Sequence, residues 1–372
     1  MLSWIEIKAE NVRHNFNVFR KILGSSDMVP VVKSNAYGHG IREIYQSLVP
    51  ENPGWFAVNY VEEGALLRTL GFKGRVMIVG PFDPADINAA AEHSLEMFLG
   101  HPEGLAAWLA APRKPKLHLE FDTGMSRQGF RPEMASDVAD KTLPHKDLIA
   151  GICMHFANVE DVTEHEYAKE QLRRFDMAKD AFIARGMRLP NHAASSASAL
   201  ILDESRFDLC RVGISLYGFW PSQATKISYK QLHGEIEGLR PVMAWKSKIT
   251  SINQVSQGQY VGYGCTFKAR HDMIVAVVPV GYFEGYPRVA SGSQAYVLIQ
   301  GERCPIVGRI CMNMMMVDVT DLKGKVAVGN VVTLIGTDGK ETVAAADVAS
   351  WAETIHYEIV TRLNPDIERK IV

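Results

Sequence analysis

Met28-Val29-Pro30-Val31-Val32-Lys33-Ser34-Asn35-Ala36-Tyr37-Gly38-His39-Gly40 is the stretch on which the fold reading turns. The apolar run from Met28 to Val32 reads as a strand buried on both faces, as in a parallel sheet covered by helices. It ends on a charged amine, Lys33, and small, turn-forming residues follow at once. A buried strand is a poor place for a lysine. Two readings are open from this stretch alone. Either the amine snorkels out at the strand end, or it is held in a closed pocket where desolvation makes it lose its proton readily, as a Schiff-base lysine needs.

Outward from Lys33, short apolar runs alternate with amphipathic stretches over roughly the first 220 residues. Candidate strands end near Lys33, Tyr60, Val79, Phe98, Phe121, His155, Ala194 and Ile214. Helical patterns lie between them, among them Val61–Leu70, Pro84–Glu92 and Glu164–Ala184. Strands alternating with helices imply parallel pairing and right-handed crossovers, and eight such units predict a (β/α)8 TIM barrel. After about Arg240 the helical period fades. Apolar runs then come close together at Met243–Val255, Met273–Pro279, Ala295–Ile299, Met312–Val319 and Val331–Ile335, punctuated by Gly, Pro, Asn and Asp. This predicts a mostly antiparallel β domain, with a short helix over Val343–Thr354. The alternation in Ser3–Lys8 suits one more strand of that domain. The expected division is a barrel over residues 9–235 and a β-rich domain over 236–372, joined by residues 1–8.

The bulk properties narrow the function classes. With 372 residues and a net charge of −2, the chain offers no electrostatic case for nucleic acid or an anionic membrane. No apolar stretch is long enough to span a bilayer, and the opening residues do not resemble a signal peptide. The cysteines Cys153, Cys210, Cys265, Cys304 and Cys311 are odd in number and scattered, which suggests reduced thiols and a cytoplasmic setting.

In a barrel, chemistry sits at the C-terminal ends of the strands. Those ends carry Lys33 and Tyr37, then Glu120-Phe121-Asp122-Thr123-Gly124-Met125-Ser126-Arg127, His155, Ala194-Ser195-Ser196, and Arg211-Val212-Gly213-Ile214. Loops after the seventh and eighth strands commonly hold phosphate. Ser196 offers a hydroxyl there, and Gly213 and Ile214 offer backbone N–H groups. A phosphate at that point and an amine on the first strand would bracket a small aromatic aldehyde, which pyridoxal 5'-phosphate satisfies. Arg211 would then lie near its pyridine nitrogen. Blander readings exist for single residues: His155 as a structural histidine, Arg127 as a loop pin. Gly262-Tyr263-Gly264 is not a dinucleotide fingerprint, and His155 with His165 lacks metal-ligand spacing, so no metal is expected.

Taken together, the run Val31 to Gly40, Asp122-Thr123-Gly124-Met125 with Arg127, Arg211-x-Gly213-Ile214 with Tyr217-Gly218, Tyr263-Gly264, Gly308-Arg309-Ile310-Cys311-Met312 and Tyr357-Glu358 closely resemble the alanine racemase family over nearly the whole chain. The resemblance implies a pyridoxal-phosphate enzyme that interconverts L- and D-alanine for peptidoglycan. It implies that Lys33 carries the cofactor and that Tyr37, Ser196, Gly213, Ile214 and Tyr357 hold its phosphate. Arg211 would face the pyridine nitrogen with His155 behind it. Arg127, helped by the Met312 backbone N–H, would steer the substrate carboxylate. Tyr282, Arg288 and Arg309 would line the substrate's approach. Tyr263 would be the second base, supplied by the partner in a head-to-tail homodimer.

Racemisation removes a proton from one face of Cα and returns one to the other, so two bases on opposite sides are expected, Lys33 and Tyr263. An arginine at the pyridine nitrogen cannot take up its proton, because its own pKa exceeds about 12. The ring is then a weaker electron sink, which favours prompt reprotonation over side reactions. Three positions depart from the family pattern. Glu120 stands where a lysine, often carbamylated, is usual, seven residues before Arg127, and is expected to orient that arginine as the carbamate does. Asn313 and Glu284 both alter charge near the substrate's approach, which leaves serine or a broader substrate range as an alternative. A decarboxylase of the same architecture would carry a Glu-Pro-Gly-Arg stretch, which is absent. A non-catalytic cofactor-binding barrel would lack the second domain.

Overall fold

The structure is a computed structural model that describes residues 2–160, 164–234, 238–292 and 294–372. The chain divides into two compact units. One holds Glu10–Ser34 and Tyr45–Pro241; the other holds the residues up to Ala9 with Asn35–Ile44 and Val242–Val372. The boundary expected at residues 235 and 236 lies outside the described residues.

After β1 (Ser3–Ile7), the first unit is built on β2 (Asp27–Pro30), β3 (Trp55–Val58), β4 (Arg75–Ile78), β5 (Glu96–Leu99), β6 (Lys116–Glu120), β7 (Ile149–Cys153), β8 (Asn191–His192) and β9 (Leu209–Val212). β3 to β8 form one parallel sheet in chain order, and β2 pairs in parallel with β9. A bridge between Val31 and Ala57 joins β2 to β3. Asp208 N donates to Asn191 O at 3.0 Å and Arg211 N to Ala194 O at 2.9 Å, which ties β9 back to β8. The strands thus run in order around a closed ring, as the alternating pattern predicted. Trp55–Val58 and Val76–Ile78 are buried at every position. They read as unbroken apolar runs because helices cover the outer face while side chains fill the inner one. The helices predicted from periodicity are found at Val61–Thr69, Asp86–Glu92 and Glu166–Ile183.

The second unit continues with β10 (Met243–Lys248), β11 (Ser251–Val255), β12 (Tyr260–Val261), β13 (Phe267–Lys268), β14 (Met273–Val278), β15 (Tyr296–Ile299), β16 (Glu302–Val307), β17 (Met315–Asp318), β18 (Val331–Asp338), β19 (Glu341–Val343) and β20 (Glu368–Ile371). Its main sheet has the order β11-β14-β17-β16-β15-β18-β10-β1-β20, with β19 on β18. Among the described pairings of this sheet only β1 with β20 is parallel. The single apolar run predicted over Met243–Val255 is two strands with different neighbours: β10 pairs with β1 and β18, β11 with β14. The strand predicted from Met312 begins at Met315, which leaves Met312 exposed in the preceding bend. The predicted helix spans Ala345–Trp351, and a second helix, His356–Thr361, carries Tyr357. That second helix has six residues, too few to leave a readable 3.6-residue period.

The stretch after Lys33 is unusual. Ser34, Asn35, Ala36 and Tyr37 all have φ between 52° and 55°, a left-handed turn of four consecutive L-residues. Such residues cost about 1–2 kcal/mol each, so their neighbours must hold them in place. Gly40 N donates to Asn35 O at 2.9 Å, and Ile41 N to Asn35 Oδ1 at 3.1 Å. His39 Nδ1 lies 2.9 Å from Tyr37 O. Arg369 Nε and Nη2 donate to Gly38 O at 3.2 and 3.0 Å. A Cβ on Gly38 would lie 1.9 Å from Val360 O, so only glycine fits there.

Candidate active site

Lys33 is half-buried at the C-terminal end of the barrel strands. Burial first, then the charge of Arg127, lowers its ammonium pKa below the ordinary lysine value; Arg211 adds to this and Glu63 opposes it. The amine therefore holds its proton less tightly than an exposed lysine does.

Arg211 projects from β9 into the barrel interior and is almost fully buried. Its Nη2 donates to Met154 O at 2.8 Å and Ala193 O at 3.1 Å, and stands 3.2 Å from His155 Nδ1. Its Nη1 stands 2.5 Å from His192 Nδ1. All these partners are uncharged carbonyls or imidazoles. Burial first, then Arg211, pushes the His155 and His192 pKa values well below the ordinary histidine value, so both rings are neutral. Gly213 N donates to Ser196 Oγ at 2.9 Å, which brings the hydroxyl at the start of helix Ser196–Ile201 against the Gly213-Ile214 backbone.

Arg127 sits on a loop closed at its base by Phe130 N donating to Glu120 O and Asp122 N to Phe130 O, each at 2.8 Å. Within it, Asp122 Oδ1 accepts from the backbone N–H groups of Gly124, Met125 and Ser126. Glu120 points inward from β6 and is buried. The amide of Gln128 donates to its Oε2 at 2.6 Å. Burial first raises this carboxyl to about 7, against the Gln128 hydrogen bond and the charges of Arg211 and Arg127. The hydrogen-bond partner found for Glu120 is thus Gln128, with Arg127 acting on it through charge.

The second unit brings other predicted residues together. Tyr37 and Tyr357 face each other with ring centroids 6.4 Å apart. Tyr263 stands on a tight turn between Gly262 (φ 77°) and Gly264 (φ 73°) and is 69% exposed. A Cβ on Gly264 would lie 2.8 Å from Arg309 Nη1, so the guanidinium packs against this turn. Phe283 N donates to Met312 O at 2.9 Å and Tyr282 N to Cys311 O at 3.1 Å, which joins the Tyr282 and Met312 segments. Arg288 shares a cavity wall with Tyr282. The two departures Asn313 and Glu284 prove to be partners: Asn313 Nδ2 donates to Glu284 Oε1 at 2.8 Å, and Gly281 N donates to Glu284 Oε2 at 2.8 Å.

The family model for the alanine racemase N-terminal domain matches residues 7–221, and the one for the C-terminal domain matches residues 242–371. The chain belongs to the alanine racemase family. It is 38% identical to the alanine racemase of Leptospira interrogans serovar copenhageni, covering 100% of this chain and 96% of that protein. It is 34% identical to that of Carboxydothermus hydrogenoformans, covering 98% of each. Among solved structures, the alanine racemase of Bacillus anthracis with bound L-Ala-P superposes with a TM-score of 0.89 at 27% identity, covering 100% of this chain and 95% of the other. That of Streptomyces lavendulae superposes with a TM-score of 0.89 at 30% identity, covering 100% and 97%.

Alanine racemases are pyridoxal-phosphate enzymes. The donor set of the barrel unit fits that cofactor: a desolvated amine at Lys33, a hydroxyl and backbone N–H groups at Ser196, Gly213 and Ile214, and a buried guanidinium at Arg211 whose close partners are all neutral. Sequence reasoning gave no role to Gln128, Glu63, His118 or His192. Only His118 left a signal, as a polar residue inside the apolar run Leu117–Phe121.

Proposed function

We propose that this protein interconverts L-alanine and D-alanine with pyridoxal 5'-phosphate, by two bases, Lys33 and Tyr263. The observation that carries the reading is Lys33, a half-buried amine at the ends of the barrel strands whose pKa is lowered below the ordinary lysine value by burial and by the charges of Arg127 and Arg211. When bound, the cofactor acts as an electron sink that makes the α-hydrogen of the amino acid acidic. Lys33 anchors the cofactor and moves a proton at Nζ on one face of Cα. Tyr263 moves one at Oη on the other, and its exposure on a glycine-flanked turn suits a residue offered to a partner protomer in a head-to-tail homodimer. Arg127 and the Met312 N–H bind the substrate carboxylate, and Glu120 orients Arg127. Tyr37, Tyr357, Ser196, Gly213 and Ile214 hold the phosphate. Arg211, backed by His155, faces the pyridine nitrogen with N–H donors that cannot be lost at working pH. Tyr282, Arg288 and Arg309 line the substrate's approach. The barrel assigned to residues 9–235 carries the lysine, and residues 236–372 with 1–8 carry the tyrosine. Among the described residues no helix is long and apolar enough to cross a membrane; a cytoplasmic enzyme supplying cell-wall D-alanine is the setting we infer.

The test is incubation of the purified protein with single enantiomers of alanine and other amino acids in heavy water. The reading requires deuterium at Cα and formation of both alanine enantiomers. Absence of exchange with alanine overturns it.

A further inference from the structure

A line of five polar side chains crosses the barrel interior. Arg75 Nε and Nη2 donate to Glu96 Oε1 and Oε2 at 2.6 and 2.8 Å. Glu96 Oε2 is 2.7 Å from His118 Nε2. His118 Nδ1 is 2.8 Å from His192 Nε2, and His192 Nδ1 is 2.5 Å from Arg211 Nη1. Arg75 and Glu96 are the first residues of β4 and β5, so the line starts at the floor of the barrel and ends at the catalytic mouth. Phe98 packs on its last three members, with its ring 5.8 Å from the His118 ring, 5.5 Å from His192 and 5.8 Å from the Arg211 guanidinium carbon. Arg75 stacks 3.8 Å over Trp55 at the far end.

The chemistry of the ends dictates every proton between them. An arginine N–H can only donate. His192 Nδ1 must therefore accept, and its ring proton sits on Nε2. That N–H donates to His118 Nδ1, which places the His118 proton on Nε2, facing Glu96. Glu96 must accept from both sides, and it does so as a carboxylate: burial opposes ionisation, but the hydrogen bonds from His118 and Arg75 hold it down at about 2. Burial pushes the His118 pKa below its ordinary value, with Glu96 opposing, so the ring stays neutral.

Arg211 needs such a line. It is a desolvated cation, and an unpaired buried charge is costly. Its hydrogen-bonded partners are neutral, and Glu120, a carboxyl whose charge acts on it, is held at about 7 and is only partly charged near neutrality. The nearest fully ionised carboxylate in hydrogen-bonded continuity is Glu96, acting through two polarised imidazoles. We propose that Glu96, His118 and His192 are positioning residues for Arg211: the carboxylate at the floor of the barrel fixes the tautomer of both rings and, through them, the placement of the guanidinium at the mouth. The purpose served by Arg211 rests on the racemase reading; the polarity of the line does not.

The experiment has two arms. In the first, nitrogen-15 NMR of histidine-labelled holoenzyme at neutral pH reads both rings, assigned with His118→Asn and His192→Asn. The line requires neutral His118 and His192, each protonated on Nε2. An imidazolium at either, or a proton on His192 Nδ1, overturns it. The second arm is kinetic. Glu96→Ala should lower kcat for alanine about tenfold with KM within about twofold, and Glu96→Gln, which keeps the acceptor, should recover part of the loss. Wild-type kcat in a folded, cofactor-loaded Glu96→Ala, or an effect confined to KM, overturns the proposal. If Glu96→Ala does not fold, Glu96→Gln and the wild-type spectrum still decide. If the wild type fails to racemise alanine, the racemase reading falls while the spectrum still tests the line.

Discussion

Replacing Glu120 with glutamine should stabilise the protein in mild alkali and change little in mild acid. Burial is the main reason its carboxyl is raised from the ordinary 4.5 to about 7. A carboxyl raised on folding binds its proton more tightly in the native state. The stability it contributes is fully present below about 4.5 and is lost as the pH rises through about 7. A shift of that size corresponds to about 3 kcal/mol at about 1.4 kcal/mol per unit. Glutamine has nearly the same shape, carries no charge, and can still accept the Gln128 N–H with its carbonyl oxygen. The assay is urea unfolding of wild type and Glu120→Gln at about pH 5 and about pH 8.5. Wild type should lose about 3 kcal/mol between those conditions relative to the variant, so the two curves meet in acid and separate in alkali. Parallel behaviour at both pH values, or a variant less stable in alkali, would refute the argument that burial governs this carboxyl. The same variant bears on the active site: if the Glu120 charge tunes Arg127, KM for alanine should rise in Glu120→Gln, and an unchanged KM counts against that role.

Asn313→Asp sets a second carboxylate against Glu284 in place of a 2.8 Å hydrogen bond. It should cost about 0.5–1 kcal/mol by thermal unfolding, and adding Glu284→Gln should remove the cost. Gly38→Ala combines a φ of 78° with a Cβ 1.9 Å from Val360 O. It should destabilise by more than about 3 kcal/mol or prevent accumulation of folded protein, and a near-native melting curve would contradict the packing described. In acid, wild type should lose about 3 kcal/mol as the pH falls from 4.5 towards 2 and Glu96 takes up its proton. Acid titration of Glu96→Gln should lack that component.

The barrel was legible because each strand is a short buried run between helical periods, and Lys33, Arg211 and Ser196 interrupt those runs with polarity. The left-handed turn at Ser34–Tyr37 was not legible. Of Ser, Asn, Ala and Tyr only Asn readily adopts that handedness, and part of what holds the turn is long-range: Arg369 on Gly38 O and the close approach of Val360 O. The pairing of Asn313 with Glu284 stayed hidden for the same reason, since 29 positions separate them. Glu96 and Arg75 read as ordinary charged residues at strand starts. Only the register of the closed barrel brings them into line with His118 and His192.

The fixed polarity of that line also makes it an insulator. A proton can travel along hydrogen-bonded rings only if each ring takes one on one side and releases another on the far side, after which every bond must turn over. Here the first hop at the mouth would require Arg211, whose N–H groups only donate, to give up a guanidinium proton, even though burial lowers its pKa below the ordinary arginine value. The side chain of Arg75 at the floor is 42% exposed, yet this line does not conduct protons from the solvent there. The line therefore offers no relay by which a proton taken up at the floor of the barrel could arrive at its mouth.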